Sequence, residues 1–311
     1  KFMVTEAYSE VYLNVPELME LYRACPSELH VPFNFNLMGL PWSAKVYRKF
    51  IDEFESSLAP EDLPNYVLGN HDRPRLATRI GGERARVAAM LLFTLRGMPF
   101  VYYGEELGMV DTYIPPGKVQ DPLGKGIPGF GLGRDPERTP MPWNQEPYAG
   151  FSRVGPWLPV GRSYKKINVE KESADPRSML SLYRRLIHYR KNSPALLRGV
   201  YHSLELSPSQ VFAFTREVGG EKLLVLLNFS GEKQRISLDL KNSSLRSGTL
   251  SPRELGDKRA ASVIGRPAAG GASNIASLIC NTYLDKKLGQ AVQLGNFFLR
   301  PHEGYLLKIS H

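Results

Sequence analysis

Cysteine is scarce in this chain: two in 311 residues, Cys25 and Cys280. They lie far apart, and neither has neighbours at metal-ligand spacing. A disulfide framework and a zinc site are therefore both disfavoured as organising devices. Long apolar runs are also lacking. The longest, near "VAAMLLFTL", is flanked by Arg84 and Arg86 and ended by Arg96, and a bilayer span needs about 20 apolar residues. No membrane-spanning helix is expected within this chain. There is no internal repeat and no heptad pattern. The chain lacks a Met start and any signal-like segment, and it opens on "KFMVTEAYSE", which reads as the inside of a fold. We expect sequence upstream of Lys1, so the compartment stays open. Asn228-Phe-Ser and Asn242-Ser-Ser match the glycosylation acceptor pattern, which matters only for a secreted protein.

Acidic residues are in the minority, 31 against 40 Lys and Arg, for a net charge of +9. Such a balance suits an anionic partner, or a basic enzyme with scattered charge. The basic residues are spread, and the densest group, "YRRLIHYRK" (183–191), fits the polar face of an amphipathic helix. We therefore expect no nucleic-acid partner.

What is present alternates in period. "FMVTEA" (2–7), "HVPFNFN" (30–36), "NYVLGNHD" (65–72) and "MPFVYYGEELG" (98–108) read as short strands. Between them, "VPELMELYRA" (15–24), "SAKVYRKFIDEFESSL" (43–58) and a long stretch at about 76–96 carry helical spacing. Strands alternating with helices predict βα units and a parallel sheet. Residues 109–175 are rich in Pro and Gly, a loop long enough to be functional. A helix at 176–196 closes this part, which we bound at 1–196. From 197 to 311 short strands predominate, with Gly219-Gly220 marking a hairpin and 242–275 reading as a loose connection.

Titratable groups gather at the strand ends: Glu6, then Asn70-His71-Asp72, then Glu105-Glu106. In a parallel barrel these ends share one face, where active sites sit. Two carboxyl groups flanking a bond are what glycoside hydrolysis needs. The bare spacing leaves turn residues and caps equally open for Asn70-His71-Asp72. It favours a supporting role for Glu105 and Glu106. A metal site is less suited, because three adjacent residues rarely all face one ion.

"MVTEAY", "VLGNHDRPR", "LLFTLRGMPFVYYGEELGM", "GRDPERTPMPWN" and "NFFLRPHEGYLLKI" occur in this order. Together they resemble the α-glucosidase and oligo-glucosidase branch of the α-amylase superfamily. "RTPMPWN" departs from that family's "RTPMQW" by Pro142. The resemblance implies an α/β fold class: the C-terminal half of a (β/α)8 barrel, strands 5–8 with the long loop 109–175, followed by a small all-β sandwich. It implies that Glu6 is the general acid/base and that Asp72 holds the sugar hydroxyls at the cleavage subsite. His71, Arg138 and Arg75 would be substrate-binding residues, Arg75 being equally readable as a structural ion-pair partner. Tyr8, Phe33, Phe35, Phe130 and Trp143 are candidate sugar-stacking rings, with core packing preferred for Phe33 and Trp143. No segment of the kind that carries the family's nucleophilic aspartate precedes Glu6, so the chain by itself is expected to be inactive. No cofactor and no metal are expected within it; a calcium site, if any, would lie upstream. The implied partner is a small oligosaccharide or disaccharide. The alternatives are the glucosidase-like, non-catalytic ectodomain of an amino-acid-transporter heavy chain and a sugar-binding pseudo-enzyme fragment.

Overall fold

The computed structural model describes residues 2–6, 13–25, 30–59, 62–126, 133–238, 246–247 and 274–309. The expectations that fall on Tyr8, Phe130, Asn242 and most of 242–275 lie outside the described residues.

The first part is a run of βα units. Strand β1 (Met3–Thr5) leads to α1 (Val15–Ala24), β2 (His30–Pro32), the single turn α2 (Asn36–Gly39) and α3 (Ala44–Ser57). The bounds of α1 follow from local chemistry. The Asn14 side chain accepts the Glu17 N–H while Glu17 accepts the Asn14 N–H, a closed capping box. In α3, Ala44, Tyr47, Ile51 and Phe54 form the buried stripe that the helical period predicts. Then come β3 (Asn65–Val67), α4 (Leu76–Ile80), α5 (Gly82–Thr94) and β4 (Met98–Phe100). The single helix expected at 76–96 is two, because Gly81 takes φ +85° between them, a conformation open to glycine and costly for other residues. Helix α5 is buried on nearly every side from Ala85 to Thr94, the behaviour of a core helix rather than an amphipathic one.

β1 pairs with β2 and β3 with β4, both in parallel. Between the two pairs a side chain stands in for a ladder. Asn65 Nδ2 donates to the Pro32 carbonyl (2.7 Å) and Asn65 Oδ1 accepts the Asn34 N–H (2.9 Å). Asn65 is fully buried, so both backbone groups depend on it. Asn65→Ala should therefore cost about 2–4 kcal/mol, since each buried group left unmatched costs ~1–3 kcal/mol. Tyr22→Phe, which loses only the hydroxyl that Asn65 Nδ2 also reaches (3.0 Å), should cost less. Chemical denaturation of both variants checks the order.

The expected 109–175 loop contains short 3-10 turns, α6 (Pro122–Gly126) and, unanticipated, α7 (Val169–Ala174). Next come α8 (Met179–Asn192) and α9 (Pro194–Arg198), separated where Ser193 caps α9 through the Leu196 N–H. β5 (Val200–Leu204), β6 (Val211–Val218), β7 (Glu221–Asn228), β8 (Gln234–Ile236), β9 (Arg246–Ser247), β10 (Ile275–Asn281), β11 (Ala291–Gln293), β12 (Phe297–Leu299) and β13 (Gly304–Ile309) follow. Seven of them form an antiparallel sheet ordered β11-β10-β13-β7-β6-β5-β9, faced by the β12-β8 ribbon. Gly219 and Gly220 both have positive φ in the β6–β7 turn, as a two-residue hairpin demands. Side chains alternate across the sheet. Phe212, Phe214, Leu223, Val225 and Leu227 join the core shared with α3, α5 and α8. Val211, Ala213, Leu224 and Leu226 face the second layer. Both faces of β6 and β7 are buried over most of their length, so Val211–Phe214 and Leu223–Leu227 read as unbroken apolar runs.

Two buried arginines tie the parts together. Arg216 donates to the carbonyls of Thr94 (2.7 Å), Leu196 (3.2 Å) and Gly199 (2.9 Å). Arg190 donates to those of Phe93 and Leu95 (both 2.8 Å) and of Gly97. These include the carbonyls that end α5, which have no intrahelical partner. Asn228 is fully buried, its amide donating to the carbonyls of Glu232 (2.7 Å) and Arg300 (2.8 Å). It is a structural residue, closed to glycosylation in the folded chain. No helix among the described residues is long and apolar enough to cross a membrane.

Candidate active site

The strand ends converge. Glu6 follows β1, Phe33 and Phe35 follow β2, Asn70 and His71 follow β3, and Tyr102 follows β4. All of them line one cavity of about 240 Å³. Phe33 stacks on Phe35 (centroids 5.1 Å apart) and meets Phe100 edge-on (4.7 Å), giving the cavity an aromatic wall. Core packing was expected for Phe33; it is half-buried and faces this cavity instead. Glu6 is exposed.

The turn after β3 is built to aim Asp72. A Cβ on Gly69 would lie 2.5 Å from Glu105 Oε1, so a larger residue there would push that buried carboxyl aside. Asn70 Oδ1 then accepts the Asp72 N–H (3.0 Å), an Asx turn. Asp72 Oδ1 receives two guanidinium groups, Arg138 Nη2 at 2.7 Å and Arg134 Nη1 at 2.9 Å. His71 Nε2 lies 3.5 Å from the other oxygen, Oδ2. Arg138 Nε also donates to the His71 carbonyl (2.7 Å), so one arginine fixes both residues. Four of the five sequence-selected residues thus come together: Glu6 and His71 on the cavity, Asp72 beside His71, and Arg138 behind them.

Arg75 departs from that grouping. It is 2% exposed, its Nη1 donates to the Tyr103 carbonyl (2.6 Å), and its guanidinium lies over the rings of Tyr102 and Tyr103 at 5.2 and 4.7 Å. It packs against the β4 end and does not line the cavity. Its charge opposes the upward push of burial on the carboxyls of Glu105, Glu106 and Asp111, and its backbone N–H donates to Asp111 Oδ1 (2.8 Å), though no carboxylate among the described residues lies within ion-pair distance of the guanidinium. Trp143 is 49% exposed, against the core position expected of it. Arg134 was missed. It lies inside the quoted "GRDPERTP", but its partner Asp72 is 62 residues away, a distance at which spacing carries no signal.

Glu105 has the supporting place expected of it. Burial pushes its carboxyl up to about 8, opposed by the Tyr102 N–H that Oε2 accepts at 3.3 Å. A raised value in the fold means that the protonated form is the stabilised one. That stability is complete below the ordinary carboxyl range near 4.5 and is lost as pH rises through about 8. Glu105→Gln, which keeps an acceptor for Tyr102 and cannot ionise, should flatten the fall in melting temperature between pH 6 and 9. An unchanged slope would refute the assignment.

The parallel strand ends thus bring a carboxyl and a histidine to one aromatic-walled cavity, with Asp72 and its two arginines beside the histidine. Residues 2–199 match the family model "Alpha amylase, catalytic domain", and 211–256 match "Alpha-amylase SusG C-terminal domain". The chain belongs to the α-amylase family. It is similar to an α-glucosidase of Apis mellifera, 34% identical over 78% of this chain and 43% of that protein. It is also similar to an oligo-1,6-glucosidase of Parageobacillus thermoglucosidasius, 31% identical over 65% of this chain and 42% of that one. Among solved structures it superposes on a mutant of the trehalulose synthase MutB bound to Tris. The TM-score is 0.74 and the identity 25%, over 99% of this chain and 56% of that one. Another MutB mutant, solved with its substrate sucrose, matches at TM-score 0.68 and 25% identity over 90% and 50%. The chain spans about half the length of the relatives it matches.

Proposed function

We propose that this chain is the acid/base-bearing half of a retaining α-glucosidase that cleaves terminal α-linked glucose from a disaccharide or short oligosaccharide. The observation that carries the reading is the convergence of Glu6 and His71 on one cavity, with Asp72 beside it. In the first step Glu6 gives its proton to the glycosidic oxygen as the bond to the anomeric carbon breaks. A carboxylate on a barrel strand outside these 311 residues forms the glycosyl ester. Asp72 carries negative charge beside the cationic transition state. In the second step Glu6, now a carboxylate, takes a proton from the water that displaces the ester. The names of the similar proteins, an α-glucosidase and an oligo-1,6-glucosidase, support this class of reaction. The test is turnover of a chromogenic α-glucoside by a protein that carries this chain together with the remaining barrel strands. Release of α-glucose is expected. Absence of hydrolysis with Glu6 and Asp72 intact would refute the proposal.

A further inference from the structure

Asp72 does not stand on its own turn alone. One of its two arginines, Arg134, has a half-exposed side chain (41%), and a free side chain of that length samples many rotamers. Here it is held from behind. Asp121 Oδ2 accepts both the Arg134 Nε (2.8 Å) and the Arg134 backbone N–H (2.8 Å). The Asp121 side chain is completely buried, and its Oδ1 accepts the Leu123 N–H (3.0 Å). The Arg134 contact holds the Asp121 carboxyl well below the usual carboxylate range. Asp135 fastens the same junction by accepting the N–H groups of Gln120 (2.6 Å) and Asp121 (3.0 Å). A buried carboxylate, an arginine fork and Asp72 therefore form one chain of charge-assisted bonds.

We propose that Asp121 and Arg134 are a positioning unit for Asp72. They hold Oδ1 so that Oδ2, on the His71 side, is presented to the sugar. This inference rests on the glucosidase reading above, in which Asp72 contacts substrate; Asp121 acts only through Arg134. Two guanidinium groups on a single oxygen fix the carboxylate plane, which one contact from Arg138 would leave free to rotate. Asn at position 121 keeps the size of the side chain and an acceptor for Leu123. It offers Arg134 either an amide NH2 or an uncharged oxygen, so the fork is released.

The experiment uses the complete protein and compares Asp121→Asn, Arg134→Met and their double variant, each with Asp72 intact and in an Asp72→Asn background. With Asp72 intact, Asp121→Asn should lower kcat for an α-glucoside about 10- to 100-fold, the scale of a misplaced catalytic group, with KM little changed. Arg134→Met, at a surface position that spares the core, should reproduce the loss, and the double variant should add nothing to it. In the Asp72→Asn background neither change should lower the residual turnover further. A purely structural role would lower it equally in both backgrounds, and that result overturns the inference, as does unchanged kcat in Asp121→Asn. An inactive unsubstituted protein would overturn the glucosidase reading first and the positioning unit with it. Active parent protein with unaffected variants would overturn the positioning unit alone.

Discussion

Glu6→Gln in the complete protein is expected to lower kcat/KM for maltose about 10²- to 10⁴-fold, the usual contribution of a positioned proton donor. It should leave kcat/KM for α-glucosyl fluoride far less affected. The difference lies in the leaving group. An alkoxide leaving from maltose needs the proton that Glu6 supplies, whereas fluoride departs without full protonation. Because kcat/KM reports only the steps up to cleavage of the first bond, the lost base function in hydrolysis of the ester does not enter the comparison. Glu6 is exposed at the end of a three-residue strand, so the substitution removes no core contact and its effect can be read as chemistry. Steady-state rates on the two substrates decide the matter. Equal losses on both would mean that Glu6 binds the sugar without donating a proton.

Arg216→Met is the expected large stability loss. Arg216 is buried between the sheet and the helices with no carboxylate in ion-pair reach among the described residues. Burial holds its guanidinium down to about 9. Methionine fills much of the same volume but leaves the carbonyls of Thr94, Leu196 and Gly199 without a donor. At ~1–3 kcal/mol for each orphaned group, less what relaxation and loss of a desolvated charge return, the net cost is about 3 kcal/mol. The lowered folded value means that the unfolded chain binds the proton more tightly. This group's contribution therefore changes only above about pH 9, where stability rises with pH. Between pH 6 and 8 the gap between parent and variant should be constant in denaturant titrations. A gap that varies across that window would assign the effect to another group.

What could be read from the sequence was what neighbours along the chain decide. Helical spacing over 15–24 and the 47-51-54 stripe placed α1 and α3 to within a residue, the Asn14–Glu17 box being a local signal left unread, and the Gly219-Gly220 turn needed only its own backbone conformation. Gly81-Gly82 carried the signal for the helix break as well, yet apolar periodicity through 76–96 outweighed it. "NFFLRPHEGYLLKI" is one motif in the sequence but two strands in the fold: β12 and β13 lie in different sheets, and His302, at φ 48°, lies in the turn between them. For the candidate site, Glu6, His71, Asp72 and Arg138 were accessible because each ends a strand or lies in a motif. The features that remained hidden are long-range. Arg134 and Asp121 meet Asp72 through folding of the long loop. Arg75 and Trp143 exchanged roles, the charged side chain going inside and the ring outside: two tyrosine faces, one carbonyl and the nearby carboxyls of Glu105, Glu106 and Asp111 surround the guanidinium, while its Nε and Nη2 stay without hydrogen-bond partners among the described residues. Composition alone does not reveal such partners.

The seven-stranded sheet, with β6 and β7 buried on both faces, has a consequence for how the protein comes apart. The β part is not a separate bead on a string, since one side of it is part of the core around α5. A protease nick near Gly199, between α9 and β5, should therefore yield two polypeptides that still migrate as one particle under native conditions. Grafting this β part onto an unrelated barrel would expose Phe212, Phe214 and Leu227 unless the receiving helices were recut to fit them. The β part is in effect inherited with its own barrel, as one piece of tailoring.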